Sequence, residues 1–324
     1  MARLASIGAA IAMAACIAIA PGVAAQDRVY FGIATGGTGG TYYPLGKALA
    51  DLVSSTVTIG GKRLSATAET SGASVANAQL LGRRDIESAF IAADILDAAY
   101  NGKGQFDGKP LTNLRALGAL YPEHVQLISL ASADLKTFKD LKGKSVSSGS
   151  PGSGQWQLLG DLLAAHSMTR ADVVEDSSSF AQSVDKIRDG ALVAALITAG
   201  APTASIAALA NARDLRIVPL AGPQIDAMRK KQPYYAAVKL PPNTYKGQTA
   251  PVETLAVLAI WATRADLPEP IAYAVTKALY ENAEALAAAH PKGRDISLST
   301  ALHSVSIPLH PGAERYYREK GLIK

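Results

Sequence analysis

The chain has 324 residues, 48% of them hydrophobic, and carries a formal net charge of +5. That length exceeds what one hydrophobic core usually serves, so two domains are expected, and the apolar content argues against a disordered chain. Lys and Arg are scattered rather than gathered into a basic stripe, which excludes nucleic acid as a partner.

The first residues read as an export signal. Arg3 supplies a positive charge, Ile7 to Ile19 is an apolar run, and Pro21-Gly22-Val23-Ala24-Ala25 is a small-residue stretch suited to cleavage. Residues 1–25 are therefore expected to be removed near Ala25, leaving a soluble exported chain that begins at Gln26. The apolar run is short for a membrane span. Met13-Ala14-Ala15-Cys16 loosely resembles a lipoprotein signal, the alternative anchor. Cys16 is the only cysteine, so a chain cut after Ala25 has no thiol for a disulfide, a nucleophile or a metal.

From Arg28 onward, short β-rich runs alternate with helical patterns. Val29–Ala34 reads as a buried strand, followed by a Gly-rich turn and a helix over Pro44–Val53. Arg63–Glu69 alternates as a strand, Ala73–Leu81 has helical periodicity, Ile86–Ile91 is strand again, and Asp94–Tyr100 is helical. This β-loop-α repetition predicts a parallel sheet with helices on its faces. Leu114–Leu130 holds two strand-like runs separated by Tyr121-Pro122-Glu123-His124.

A second series starts near Ser145. It comprises helices over Gln155–His166 and Phe180–Asp189, a strand over Ala191–Thr198 and a helix over Pro202–Ala212. Leu255–Thr263 is a strand-like run, and Pro268–His290 reads as one long helix. With no third series, residues 26–140 are assigned to a first lobe, 141–240 to a second, and 241–324 to a hinge crossing and a return to the first.

Thr35-Gly36-Gly37-Thr38-Gly39-Gly40-Thr41-Tyr42-Tyr43-Pro44 stands between a strand and a helix. Its four glycines let backbone approach a ligand, its threonines offer hydroxyls, and the helix that follows presents free N–H groups. The turn suits an anion, with Thr38, Gly39, Gly40, Thr41 and Tyr42 as candidate contacts. A parallel loop, Ser147 to Trp156, adds Ser150, Gly152, Ser153, Gly154 and Gln155. Two such loops at strand C-termini would face one another across a cleft. Ser71 and Ser74, in a third hydroxyl-rich turn, either cap the next helix or touch the ligand. Asp94 has the same two readings.

Known catalytic and cofactor patterns fail. Gly37-Thr38-Gly39 is followed by Tyr42 where a dinucleotide fingerprint needs Gly, and the Gly40 to Gly46-Lys47 spacing is wrong for a P-loop. The five His are dispersed without metal-ligand spacing, and Gly149-Ser150-Pro151-Gly152 is not a nucleophile elbow. The sequence therefore calls for no cofactor, no metal and no catalytic residue.

Together these segments resemble the TAXI-type solute receptors of tripartite ATP-independent periplasmic (TRAP) transporters. The matching stretches are Gly37 to Gly46, Gly72 to Asn77, Leu120-Tyr121-Pro122-Glu123, Asp140 to Lys144, Gly149 to Gly154, Gly200 to Ala204 and Pro308 to Tyr317. The resemblance implies a type II periplasmic-binding-protein fold, in which two α/β lobes close on a ligand without catalysis. It further implies integral membrane subunits as partners and a small organic anion as ligand: a dicarboxylate, a 2-oxo acid or an amino acid such as glutamate. Tyr121 and Gly200 join the candidate contacts through their motifs.

Two positions depart from the family pattern. Ala92-Ala93-Asp94 stands where Gln-Ser-Asp is common, and Ala76 where Glu is frequent, which leaves the ligand class firmer than the ligand. Tyr316-Tyr317 is expected to pack the terminal segment onto a lobe. A sensory receptor, or a secreted enzyme acting on a small acid, is the alternative function.

Overall fold

The computed structural model describes residues 29–324; the expected signal segment, its cleavage near Ala25 and Cys16 lie outside the described residues. In chain order the first elements are β1 (Val29–Ala34), α1 (Tyr42–Thr56), β2 (Thr58–Ile59) and β3 (Lys62–Glu69). There follow α2 (Ser74–Arg83), β4 (Ser88–Ala92), α3 (Ala93–Asn101) and the long β5 (Leu114–Leu130). The second series holds β6 (Ser145–Ser147), α4 (Gln155–Ala165), β7 (Val174–Asp176), α5 (Phe180–Arg188), β8 (Ala194–Ala199) and α6 (Ala204–Ala212). The chain continues through β9 (Leu215–Val218), α7 (Pro223–Lys231), β10 (Ala236–Leu240) and β11 (Val252–Arg264). It closes with α8 (Glu269–Glu281) and α9 (Pro311–Glu319).

The eleven strands of the described residues join one sheet in the order β2-β3-β1-β4-β11-β5-β8-β6-β7, with β10 beside β11 and β9 beside β5. β1, β3 and β4 pair in parallel, as do β6, β7 and β8. β5 and β11 run antiparallel to each other and join the two sets. Residues 114–124 of β5 pair with β11, His124–Ser129 with β8 and Leu127–Leu130 with β9. β5 thus changes partners at His124. The return lies in β11, whose first residues pair with β10 and whose Ala259–Thr263 pairs with β4.

The core explains these elements. Leu45, Leu49 and Val53 form one stripe of α1 at i, i+4, i+8 and pack with Ile271, Val275 and Leu279 of α8 on Phe31, Phe90 and Trp261. On the other sheet face, α2, α3, α4 and α7 share one apolar cluster that runs through both halves. α5 and α6 cover Ile128 and Ile197 with Val184, Ile187, Ile206 and Leu209. Tyr316 and Tyr317 are buried, and the Tyr317 hydroxyl donates to Leu117 O at 2.6 Å. Gly118 of β5 has φ 157°, and a Cβ there would stand 2.1 Å from the Tyr280 hydroxyl oxygen and 2.2 Å from that of Tyr317. Only glycine lets the strand come so near the tyrosine pair.

Two expectations are corrected. Tyr121-Pro122-Glu123-His124 does not interrupt β5: extended backbone suits Pro, and a register shift between Leu258 and Ile260 takes up its missing N–H. The helix from Pro268 ends at Glu281, because Asn282 leaves helical dihedrals (φ −134°, ψ 24°), and 3₁₀ turns follow over Ala283–Ala288.

Candidate functional site

A cavity of about 170 Å³ lies among the carboxyl ends of β1, β3 and β4 on one side and of β6 and β8 on the other. Its first wall is the 36–42 turn, the 71–74 turn, Ala92, Asp94 and Ile95. Facing it are Ser150, Ser153, Gly154, Gln155, Leu158, the 179–181 turn, Thr198 and Tyr235, with Glu123 and Val257 also lining it. The volume is under the roughly 300 Å³ of the smallest drug-sized pockets, which suits a metabolite of few heavy atoms.

The turns are held from within the first half by Asn77. This buried amide donates to Thr35 O and Phe90 O, each at 2.7 Å, and accepts from Ser71 Oγ at 2.6 Å, so the ends of β1 and β4 are fixed together. Ser71 Oγ also accepts from Ala73 N, and Ala73 sits at φ 73°, ψ −148°, a region almost reserved for glycine. Ser74 Oγ accepts from Ala92 N at 3.1 Å. Neither serine caps α2; both fasten backbone.

The two halves touch across the cleft through main chain. Gly152 O accepts from Val75 N at 2.9 Å and Ala76 N at 3.0 Å, and so occupies the start of α2. In the opposite sense, Gly39 O accepts from Ser205 N at 3.2 Å at the start of α6. Each half thus places a loop carbonyl on a helix N-terminus of the other. Thr41 Oγ1 donates to Gly200 O at 2.9 Å instead of capping α1. His290 Nε2 bonds Pro202 O at 2.9 Å.

No Lys, Arg or His lines the cavity, whereas two carboxyls do. Glu123 is 4% exposed and its Oε2 accepts from the Tyr42 hydroxyl at 2.9 Å. Burial pushes its pKa up to about 8, against the Tyr42 hydrogen bond and helped by the charge of Asp94. Asp94 Oδ2 accepts from the Tyr235 hydroxyl at 2.6 Å, a bond across the cleft. Burial raises Asp94 too, while that bond and the amide of Ile95 act against it. Asp94 Oδ1, Ser153 Oγ and Thr198 Oγ1 are out of contact with solvent and have no hydrogen-bond partner.

Residues 33–321 match the family model described as NMT1-like. The chain belongs to the NMT1-like family. Among solved structures, this NMT1-like chain is similar to a Bordetella bronchiseptica protein at 15% identity and a TM-score of 0.57, covering 90% of this chain and 98% of that one. A chain from the study of glutathione import via GshT and the cystine ABC importer TcyBC of Streptococcus mutans aligns at 12% identity, TM-score 0.50, over 82% of this chain and 94% of that one. The periplasmic aliphatic sulphonate binding protein SsuA of Escherichia coli aligns at 15% identity, TM-score 0.47, over 90% and 82% of the two chains. The NMT1-like chain shares its mixed α/β fold with the Bordetella bronchiseptica protein.

In this NMT1-like chain, twelve of the residues singled out from sequence line the cavity: Thr38 to Tyr42, Ser71, Ser74, Asp94, Ser150, Ser153, Gly154 and Gln155. Three do not. Tyr121 is fully buried in the core, in one apolar cluster with Leu117, Leu120, Phe90 and Trp261. Gly152 and Gly200 instead lend their carbonyls to the cross-cleft bonds. Glu123, Phe180, Thr198 and Tyr235 line the cavity without having been singled out. The sequence carried a signal only for Glu123, a carboxyl embedded in an otherwise apolar strand. Among the described residues no helix is long and apolar enough to cross a membrane, and no cluster of His, Cys, Asp and Glu has metal-binding geometry.

Proposed function

We propose that this chain is the extracytoplasmic solute-binding subunit of a TRAP transporter of the TAXI type. It captures a small organic solute that bears a carboxylate, shuts over it, and delivers it to integral membrane subunits; it performs no chemistry and holds no cofactor. Residues 1–25 direct export to the periplasm. In this reading the chain forms two lobes that pivot where β5 and β11 pass beneath the cavity.

The observation that carries the reading is a small cavity enclosed by turns from both halves, with polar atoms left without partners at Asp94, Ser153 and Thr198. A buried polar atom without a partner costs about 1–3 kcal/mol, and a solute that supplies the partner recovers that energy in the shut form alone. Helices α1 and α4 begin at the cavity with no side-chain cap, which offers a carboxylate amide donors and a favourable dipole. The TAXI and TRAP assignment within the NMT1-like family is supported by the Gly37 to Gly46, Gly72 to Asn77 and Gly149 to Gly154 motifs.

A thermal-shift panel of amino, 2-oxo and dicarboxylic acids tests the proposal, since a ligand of the folded state raises Tm by mass action. At least one member is expected to raise it. A panel in which none does removes the solute-binding reading.

A further inference from the structure

The charges around the cavity do not suit a dicarboxylate. Asp94 and Glu123 line it, and no Lys, Arg or His does. Donors for a negatively charged solute must come from helix N-termini, and most of those are already in use. The α2 amides serve Gly152 O and the α6 amide serves Gly39 O. The start of α3 carries Asp94 in its first turn, and that of α5 is served by Ser179, whose Oγ accepts from Gln182 N. α1 and α4 start at the cavity with neither a side-chain cap nor an acid in the first turn, enough for about one carboxylate group.

The acids are placed in the opposite way. Tyr42 and Tyr235 each hold one oxygen of Glu123 and Asp94, respectively. That leaves Asp94 Oδ1, itself out of contact with solvent, without a partner, with the orphaned hydroxyl of Ser153 on the facing wall. A second carboxylate on the solute would meet these acids at close range with no cation beside it, and could stay only with both acids protonated, since like charges repel strongly in a low dielectric. An ammonium would meet two acceptors.

Resting on the solute-binding reading above, we infer that the cavity selects a zwitterion: a small amino acid whose ammonium sits between Asp94 and Glu123 and whose carboxylate lies at the starts of α1 and α4. The 2-oxo acids and dicarboxylates of similar size are rejected. The selectivity resides in the missing ammonium, because an oxo analogue leaves Asp94 Oδ1 unpaired and adds net negative charge.

Matched pairs test this. Calorimetric titration of the protein with L-alanine against pyruvate, and L-glutamate against 2-oxoglutarate, with succinate as a dicarboxylate, isolates the amino group. The amino member of at least one pair is expected to bind at least about tenfold more tightly than its oxo partner, equivalent to about 1.4 kcal/mol. Asp94→Asn is expected to bring the two members within a few-fold of each other. Glu123→Gln, which keeps an acceptor for Tyr42, repeats the measurement should Asp94→Asn fail to fold. An oxo acid or succinate bound as tightly as the amino acids overturns the zwitterion while leaving the solute-binding reading intact. A ratio unchanged in both variants overturns the assignment to these acids. Absence of binding by every probe removes both.

Discussion

Tyr235, which precedes β10, reaches across the cleft to place its hydroxyl 2.6 Å from Asp94 Oδ2 at the start of α3. Like Thr41, it links the halves from the cavity wall, and it alone of the two does so through an acid of the site, so shutting and the polarity of the site are coupled through one hydroxyl.

Tyr235→Phe removes that donor without changing ring packing. Asp94 is then left with neither oxygen paired by a side chain, and the shut form should lose about 1–3 kcal/mol, as expected for a buried acceptor deprived of its partner. Affinity for the best solute of the panel should fall about tenfold or more, and the solution radius of gyration measured by X-ray scattering should grow. Identical affinity and radius would detach this bond from closure.

Gly72→Ala tests closure from the opposite wall. A Cβ at Gly72 would stand 2.7 Å from Pro151 O and 3.2 Å from the Ala76 Cβ, and the first of these contacts exists only when the halves meet. Backbone cannot yield there as a flexible side chain would. The variant should keep its ligand-free Tm within a few degrees but bind solute at least about tenfold more weakly. Wild-type affinity would show that the approach of Pro151 is dispensable.

Burial raises Glu123 to about 8, from an ordinary value of 4.5. Between those values the folded chain keeps a proton that the unfolded chain has released, so this residue makes stability fall as pH rises from about 4.5 to about 8 and level off above. Glu123→Gln cannot titrate. Its Tm should therefore gain on the wild type steadily across that window, by up to about 1.4 kcal/mol per pH unit. A constant difference across the same range would mean that Glu123 is already ionised in the folded chain.

Ala73 holds φ 73°, ψ −148°, where a side chain is strained. Strain of this kind costs about 1–3 kcal/mol, and the extra backbone entropy of glycine offsets about 0.5–1 kcal/mol of the relief. Ala73→Gly should accordingly raise the denaturation midpoint by about 1 kcal/mol. A lowered midpoint would mean that packing of the Ala73 methyl group outweighs its strain.

The site's two principal turns were legible because glycine, serine and threonine cluster between a strand and a helix at 35–44 and again at 147–156, and both turns line the cavity. Tyr235 was not legible. It lies next to Tyr234 in a connection between a polar helix and an exposed strand, and only the folding of the chain carries it to Asp94. β9, α7 and β10 were missed for related reasons: the strands are short, and α7 exposes most of its residues, so neither period is imprinted on the apolar pattern. The end of α8 at Glu281 escaped notice because Ala-rich sequence past Asn282 continues to favour a helix.

The carbonyls of Gly39 and Gly152, each seated on a helix of the opposing half, have, on the function proposed above, an implication for how such sites diversify. Their grip is written in peptide groups that every amino acid shares, so it is indifferent to what projects into the space between. Replacements at Ile95, Leu158 or Phe180 can recast the choice of cargo while the jaws still meet in the same register.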